Sequence, residues 1–223
     1  MDLTPAEKFL EYAYGIGAIK LSRKGYELSS GRISPHYFDI GPFCTGDDLS
    51  FLARAYAEPI KTKNFGEIVI FGPAYKGISL SAIITMTLGG KVSYTYNRKE
   101  AKDHGEGGLT VGAQLQGKRV LIVDDTITTG GSASDVAEIV LLRGGTLIGC
   151  FIAFDRKERP GNGILSAVQE FEKKYKIPVY TVATLADLIS FLKTKATGSY
   201  HKSIPVGEMI GKIRAYQSEY GVK

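Results

Sequence analysis

The chain has 223 residues, 43% of them hydrophobic and 23% charged, and a formal net charge of +5; this is enough for one domain with a sizeable core and too little for a second enzyme. No apolar run approaches the roughly 18 residues that span a bilayer, and no basic start leads into an apolar segment, so a soluble, cytoplasmic protein is expected. The charge suits anionic ligands, but outside Arg98–Lys102 the basic residues are dispersed, which disfavours a nucleic-acid-binding face.

Thr4 and Glu7 form a capping-box pair around Pro5 and start a helix running to about Tyr14. Leu21–Leu28 and Arg32–Asp39 read as strands, with turns at Lys24-Gly25 and Ser30-Gly31. Thr45 and Asp48 open a second helix, in which Leu49, Leu52, Ala53, Tyr56 and Ile60 recur at helical spacing. A regular alternation begins at Glu67. It runs through strand Glu67–Phe71, a helix to Leu88, strands Val92–Tyr96 and Arg119–Val123, and helix Ala133–Arg143. Strand Thr146–Phe154, a helix near Ile164–Tyr175 and strand Val179–Ala183 follow. Such a pattern predicts an α/β fold: an open, mainly parallel sheet with helices on both faces, in a single domain over residues 1–223. About residues 1–40 would form a small hood over it. Cys44 and Cys150 have neither metal-binding nor redox spacing and read as free thiols in a reducing compartment.

Four polar motifs follow successive strands: GPAYKG, NRKEAKDHGEGG, DDTITTGGS and FDR. In an open parallel sheet, ligands bind at that edge. The most informative segment is Val120–Ser132, VLIVDDTITTGGS. An apolar strand ends there in Asp124 and Asp125, whose carboxylates can accept hydrogen bonds from sugar hydroxyls. Thr126, Thr128, Thr129 and Ser132 then supply hydroxyls, and Gly130 and Gly131 let backbone N–H groups approach an anion. The following helix points its positive end at the same place. The set suits a ribose bearing a 5′-phosphate, although acidic residues before Thr and Gly also cap helices without binding anything. Neither GxxxxGK[ST] nor GxGxxG spacing is present.

In GPAYKG, Lys76 offers a point charge for phosphate and Tyr75 a phenol, where a plain strand-to-helix turn would need neither. Arg98, Lys99, Lys102 and His104, followed by three glycines, read as a mobile lid able to neutralise an anionic leaving group and exclude water; a solvated charged loop is the alternative. Arg156 could grip a carboxylate with two parallel hydrogen bonds or serve in a structural ion pair. Tyr37 and Phe38 could stack on a flat ring or simply be core. His36 and His201 have no metal-ligand partners in sequence and receive no role.

Together SSGRISPHYFDIG, GPAYKG, NRKEAKDHGEGG, VDDTITTGGSA and DR resemble orotate phosphoribosyltransferases, of the type I phosphoribosyltransferase family, over nearly the whole chain. The resemblance implies transfer of the phosphoribosyl group from 5-phosphoribosyl 1-diphosphate (PRPP) to N1 of orotate in pyrimidine synthesis. It places the ribose and 5′-phosphate on Asp124, Asp125, Thr126, Ile127, Thr128, Thr129, Gly130, Gly131 and Ser132. Pyrophosphate falls to Tyr75 and Lys76, with Arg98, Lys99, Lys102 and His104 closing over it. Orotate falls to Arg156, Tyr37 and Phe38, with Thr128 near its carboxylate. Lys102, Asp124 and Asp125 carry the catalytic roles. The resemblance further implies a non-proline cis peptide at Ala74-Tyr75, magnesium held mainly through PRPP rather than by protein ligands, and a homodimer whose partner supplies part of the lid. Neither nucleic acid nor membrane is expected as a partner. One departure stands out: where the family usually carries a PRPP-contacting lysine, this chain has Ser29. A phosphoribosyltransferase for another base and a PRPP-sensing regulator that binds nucleic acid are the rival readings. Arg156 argues against the first, and the complete lid against the second.

Overall fold

The structure is a computed structural model that describes residues 3–28, 30–102, 108–128, 131–195 and 205–222, with backbone alone at 101 and 102. Helix α1 (Pro5–Gly15) begins with the expected capping box, Thr4 accepting from the Glu7 N–H and Glu7 from the Thr4 N–H. Strands β1 (Ile19–Glu27) and β2 (Ile33–Phe38) pair antiparallel as a separate two-stranded sheet. Their register shifts between Leu21/His36 and Tyr26/Ser34, and Gly25, at φ +80°, sits within that irregular stretch. Helix α2 (Gly46–Thr62) carries the second capping box, between Thr45 and Asp48.

The main sheet contains β3 (Val69–Gly72), β4 (Ser93–Lys102), β5 (Gly108–Gly112), β6 (Arg119–Asp124), β7 (Thr146–Asp155) and β8 (Val179–Thr184), in the order β5-β4-β3-β6-β7-β8. All neighbours run parallel except β4 and β5. The helices between and after these strands are α3 (Lys76–Leu88), α4 (Gly131–Leu142), α5 (Ala167–Tyr175), α6 (Leu185–Lys195) and α7 (Val206–Tyr220).

Because successive strand residues point to opposite faces, the central strands feed two separate cores. Ile70, Leu121, Val123, Phe151 and Ala153 pack with α1, α2, α3, α6 and α7, whereas Val69, Phe71, Val120, Ile122, Cys150 and Ile152 pack with α4 and α5. This is the expected mainly parallel sheet with helices on both faces. Cys150 lies in the second core and is fully buried, its thiol pushed far above its ordinary value by that burial; Cys44 is exposed, and both are free.

One expected boundary needs correction, and one strand was not foreseen. The Arg98–Lys102 cluster is not loop but the polar half of β4, which runs past the expected end at Tyr96. The glycine-flanked segment after the lid is the edge strand β5, paired at Thr95/Gly112, Tyr96/Val111 and Asn97/Thr110. Antiparallel pairing, which reaches Lys102 opposite Gly108, extends β4 beyond the strand that residues 92–96 announced.

Candidate active site at the carboxyl edge of the sheet

A cavity of about 350 Å³ opens at the carboxyl ends of β3, β6 and β7 and under β2. Three strand-to-helix turns build most of it. In the first, Gly72 and Gly77 touch: a Cβ on Gly72 would lie 1.8 Å from the Gly77 carbonyl oxygen, and one on Gly77 2.7 Å from the Gly72 carbonyl carbon. Only glycine at both positions lets α3 start so close to the strand. The Ala74-Tyr75 peptide is cis, as expected. Buried Asn97 of β4 accepts from the Ala74 N–H through Oδ1 at 2.9 Å, tying β4 to this turn. Tyr75 is 74% exposed at the rim, with Lys99 Nζ 5.9 Å from its ring centroid.

Lys76 reaches across to the second turn, its Nζ 2.8 Å from Asp125 Oδ2. Burial works against the ammonium, but the Asp125 hydrogen bond and the charges of Asp125 and Asp39 outweigh it and hold Lys76 above its ordinary value. Asp124 and Asp125, each 8% exposed, are braced through their main chain. The Tyr56 hydroxyl donates to the Asp124 carbonyl at 2.8 Å, and the Ala153 and Phe154 N–H groups donate to that of Asp125. Asp124 Oδ1 accepts from the Asp125 N–H, and Asp125 Oδ1 from the Thr126 N–H, both at 2.9 Å. Burial, and then the neighbouring Asp125 charge, push the Asp124 carboxyl well above the usual carboxylate range. Among the described residues Asp125 is paired with a cation, Lys76, and Asp124 is not, so the pair can still accept hydrogen bonds from hydroxyl donors.

Thr126, Ile127 and Thr128 line the cavity after this pair, and Gly131, Ser132 and Ala133 line it at the start of α4. The third turn places Arg156 on the wall, its Nε and Nη2 donating to Glu158 Oε1 and Oε2 at 2.8 and 2.7 Å. The structural ion pair left open by the sequence is therefore present on a residue that also faces the cavity. Tyr37 and Phe38 both border it. Phe38 is in addition a core aromatic against Phe9 and Phe154, so the stacking and core readings meet in one side chain.

Arg98 and Lys99 stand on β4 outside the cavity lining, Arg98 donating to the Gly108 carbonyl oxygen on β5 at 3.1 Å. Ser29, His104, Thr129, Gly130 and the side chain of Lys102 lie outside the described residues. Sequence reasoning missed Asn97 and Glu158, along with Glu27, Leu28 and Pro73 of the lining. Asn97 was marked only by its place just before the cationic cluster. Glu158 was marked only by an opposite charge two residues after Arg156.

A family model described as the phosphoribosyl transferase domain matches residues 49–178, which takes in all three turns. The orotate phosphoribosyltransferase of Shigella boydii serotype 18 is 42% identical over 219 residues, covering 96% of this chain and 97% of the relative. Among solved structures, the orotate phosphoribosyltransferase of Francisella tularensis superposes with a TM-score of 0.81 at 30% identity, covering 96% of this chain and 99% of that one. The Mycobacterium tuberculosis enzyme of the same name, solved in complex with PRPP, superposes with a TM-score of 0.62 at 25% identity over 83% of this chain and 99% of that one. The chain belongs to the phosphoribosyltransferase family, in its orotate phosphoribosyltransferase branch.

Proposed function

We propose that the cavity binds PRPP and orotate and joins N1 of orotate to the anomeric carbon with inversion, releasing pyrophosphate and giving orotidine 5′-monophosphate. The observation that carries this reading is the Lys76–Asp125 contact, which brings the expected pyrophosphate turn and the expected ribose loop to 2.8 Å of each other in one cavity that Arg156 also lines. Asp124 and Asp125 accept the ribose hydroxyls, and the segment Thr126–Ser132 with the start of α4 takes the 5′-phosphate. Lys76 and Tyr75 meet the pyrophosphate, and Arg98, Lys99, Lys102 and His104 close over it. Arg156 holds the orotate carboxylate, Tyr37 and Phe38 pack on its ring, and the β1–β2 hairpin serves as hood.

No protein nucleophile is needed: positioning and charge stabilise an oxocarbenium-like transition state as the leaving group gains charge. Among the described residues, no three His, Cys, Asp or Glu side chains converge on a metal-sized site. Magnesium would be held mainly through PRPP oxygens, with the Asp124 and Asp125 carboxylates as hard oxygen donors of the class it accepts. When bound, the metal offsets charge on the departing pyrophosphate.

We further read the active unit as a homodimer in which each lid reaches the partner's cavity, working in the cytoplasm without nucleic acid or membrane. No described helix is long and apolar enough to cross a bilayer.

The test is the ultraviolet change on consumption of orotate with PRPP and Mg²⁺, run beside adenine, hypoxanthine and uracil, with Lys102→Ala as control. Turnover confined to orotate, and falling by about 10²-fold or more in the variant, is the expected result for loss of a charge-stabilising group. Turnover of a different base would reassign the pocket. PRPP binding without turnover of any base would point to a regulator.

A further inference from the structure

We propose that Glu158 is a positioning residue for base selection, held in place by the C-terminal helix α7: its carboxylate grips one edge of the Arg156 guanidinium and leaves the other edge for the carboxylate of the base. The inference rests on the reading of Arg156 as the group that binds that carboxylate.

A guanidinium carries five N–H donors in one plane. Glu158 engages Nε and Nη2 at 2.8 and 2.7 Å. The end edge, made by Nη1 and the second Nη2 proton, has no partner among the described residues and can still make two parallel bonds to a second carboxylate. Both side chains are largely buried, at 13% and 12% exposure, so the fork fixes the plane of Arg156 instead of flickering as a surface pair does.

Glu158 is itself held from several sides. The Tyr216 hydroxyl on α7 donates to Oε2 at 3.2 Å, and Arg32 Nη1 stands 4.0 Å from the same oxygen. Burial, and then the Glu158 charge, push the Tyr216 hydroxyl up to about 12, so it remains a donor throughout the neutral range. His36 Nε2 lies 3.9 Å from Oε1, but burial, reinforced by Arg156, drives the imidazole down to about 3; it fills space without competing as a cation. The backbone continues the connection. Glu158 forms a β-bridge with Gly221, the Arg159 N–H donates to the Tyr220 carbonyl oxygen at 2.9 Å, and the Val222 N–H donates to that of Lys157 at 3.1 Å. Helix α7, far along the chain from every motif of the cavity, thereby sets the orientation of the residue that reads the base.

The test is calorimetric binding of orotidine 5′-monophosphate and uridine 5′-monophosphate, which differ only in the carboxylate on the base, to the full chain and to Arg156→Ala, Glu158→Gln and Tyr216→Phe. The parent chain is expected to prefer the carboxylated nucleotide, and Arg156→Ala to abolish that preference. Glu158→Gln should weaken orotidine 5′-monophosphate by about tenfold, the size of one charge-assisted hydrogen bond, while uridine 5′-monophosphate stays within about twofold. Tyr216→Phe should shift the same nucleotide by about threefold, and because it deletes one hydroxyl it serves if Glu158→Gln does not fold. Equal losses for both nucleotides in Glu158→Gln, or none for either, would overturn the positioning role while Arg156→Ala still abolished the preference. If Arg156→Ala kept the preference, the carboxylate reading itself would fall. An unchanged Tyr216→Phe beside a weakened Glu158→Gln would remove α7 from the inference.

Discussion

Asp124 is the residue at which stability and activity pull apart. Its folded-state carboxyl is raised above the ordinary value near 4 by burial and by Asp125. The associated stability is therefore fully present below that value and lost as pH rises toward neutrality. Asp124→Asn keeps an oxygen to accept the Asp125 N–H and removes the ionisation. The variant should be more stable than the parent by roughly 1–3 kcal/mol at pH 8 and about equal to it near pH 4, while turnover collapses. Calorimetric melts at the two pH values check this; a variant that melts below the parent at pH 8 would sink it. Ser29 makes a second case. The family resemblance implies a PRPP-contacting lysine where this chain has Ser29, so Ser29→Lys should tighten PRPP binding by up to about tenfold, the scale of one charge-assisted contact, in a titration; unchanged or weaker binding would disprove the idea. The candidate residues that follow β6 were legible in the sequence because their chemistry is local and contiguous. Asn97 and Glu158 were not, because what they do is set by a partner: a backbone N–H 23 residues away for Asn97 and a hydroxyl 58 residues away for Glu158.

At the scale of elements, β4 is coupled to the turn that follows β3. The Asn97 side chain accepts from the N–H of Ala74, and the same strand carries Arg98 and Lys99. Asn97→Ala leaves a buried N–H unpaired, at a cost of roughly 1–3 kcal/mol. The expected kinetic signature is a KM for PRPP raised severalfold with the KM for orotate less affected, measured by initial rates over a grid of both substrates. Equal changes in the two would mean general loosening of the fold. The helix-strand alternation was readable from period and capping alone, and the boxes at Thr4 and Thr45 lie where the sequence set them. Strand β5 was hidden because five residues bounded by Gly108 and Gly112 carry too little pattern, and only their pairing to β4 makes them a strand. The extent of β4 was hidden for the same reason: its outer half is polar and gains its structure from the neighbouring edge.

For the whole molecule, the proposed sharing of a lid between two subunits makes a prediction about assembly. If each lid serves the partner's cavity, mixing inactive Lys102→Ala with inactive Asp125→Asn after subunit exchange should restore activity. In a randomly mixed two-fold dimer, half the molecules are hybrids and each has one intact site, so roughly a quarter of the parent rate should return. No recovery, with hybrids demonstrated by mass, would place each lid over its own subunit. The two cores explain how such a molecule keeps its ligand edge open: helices cover both faces of the sheet and leave the carboxyl ends of the strands to the turns. The same layering separates the two thiols, Cys150 sealed between sheet and helices and Cys44 in the open. Cys44 directly follows Phe43, which borders a small hollow shared with Lys76. A maleimide fluorophore would therefore attach to the unmutated chain at Cys44, next in sequence to a residue that shares a hollow with Lys76 of the cavity. In a protein without tryptophan, that dye provides an optical reporter of ligand arrival against a dark background.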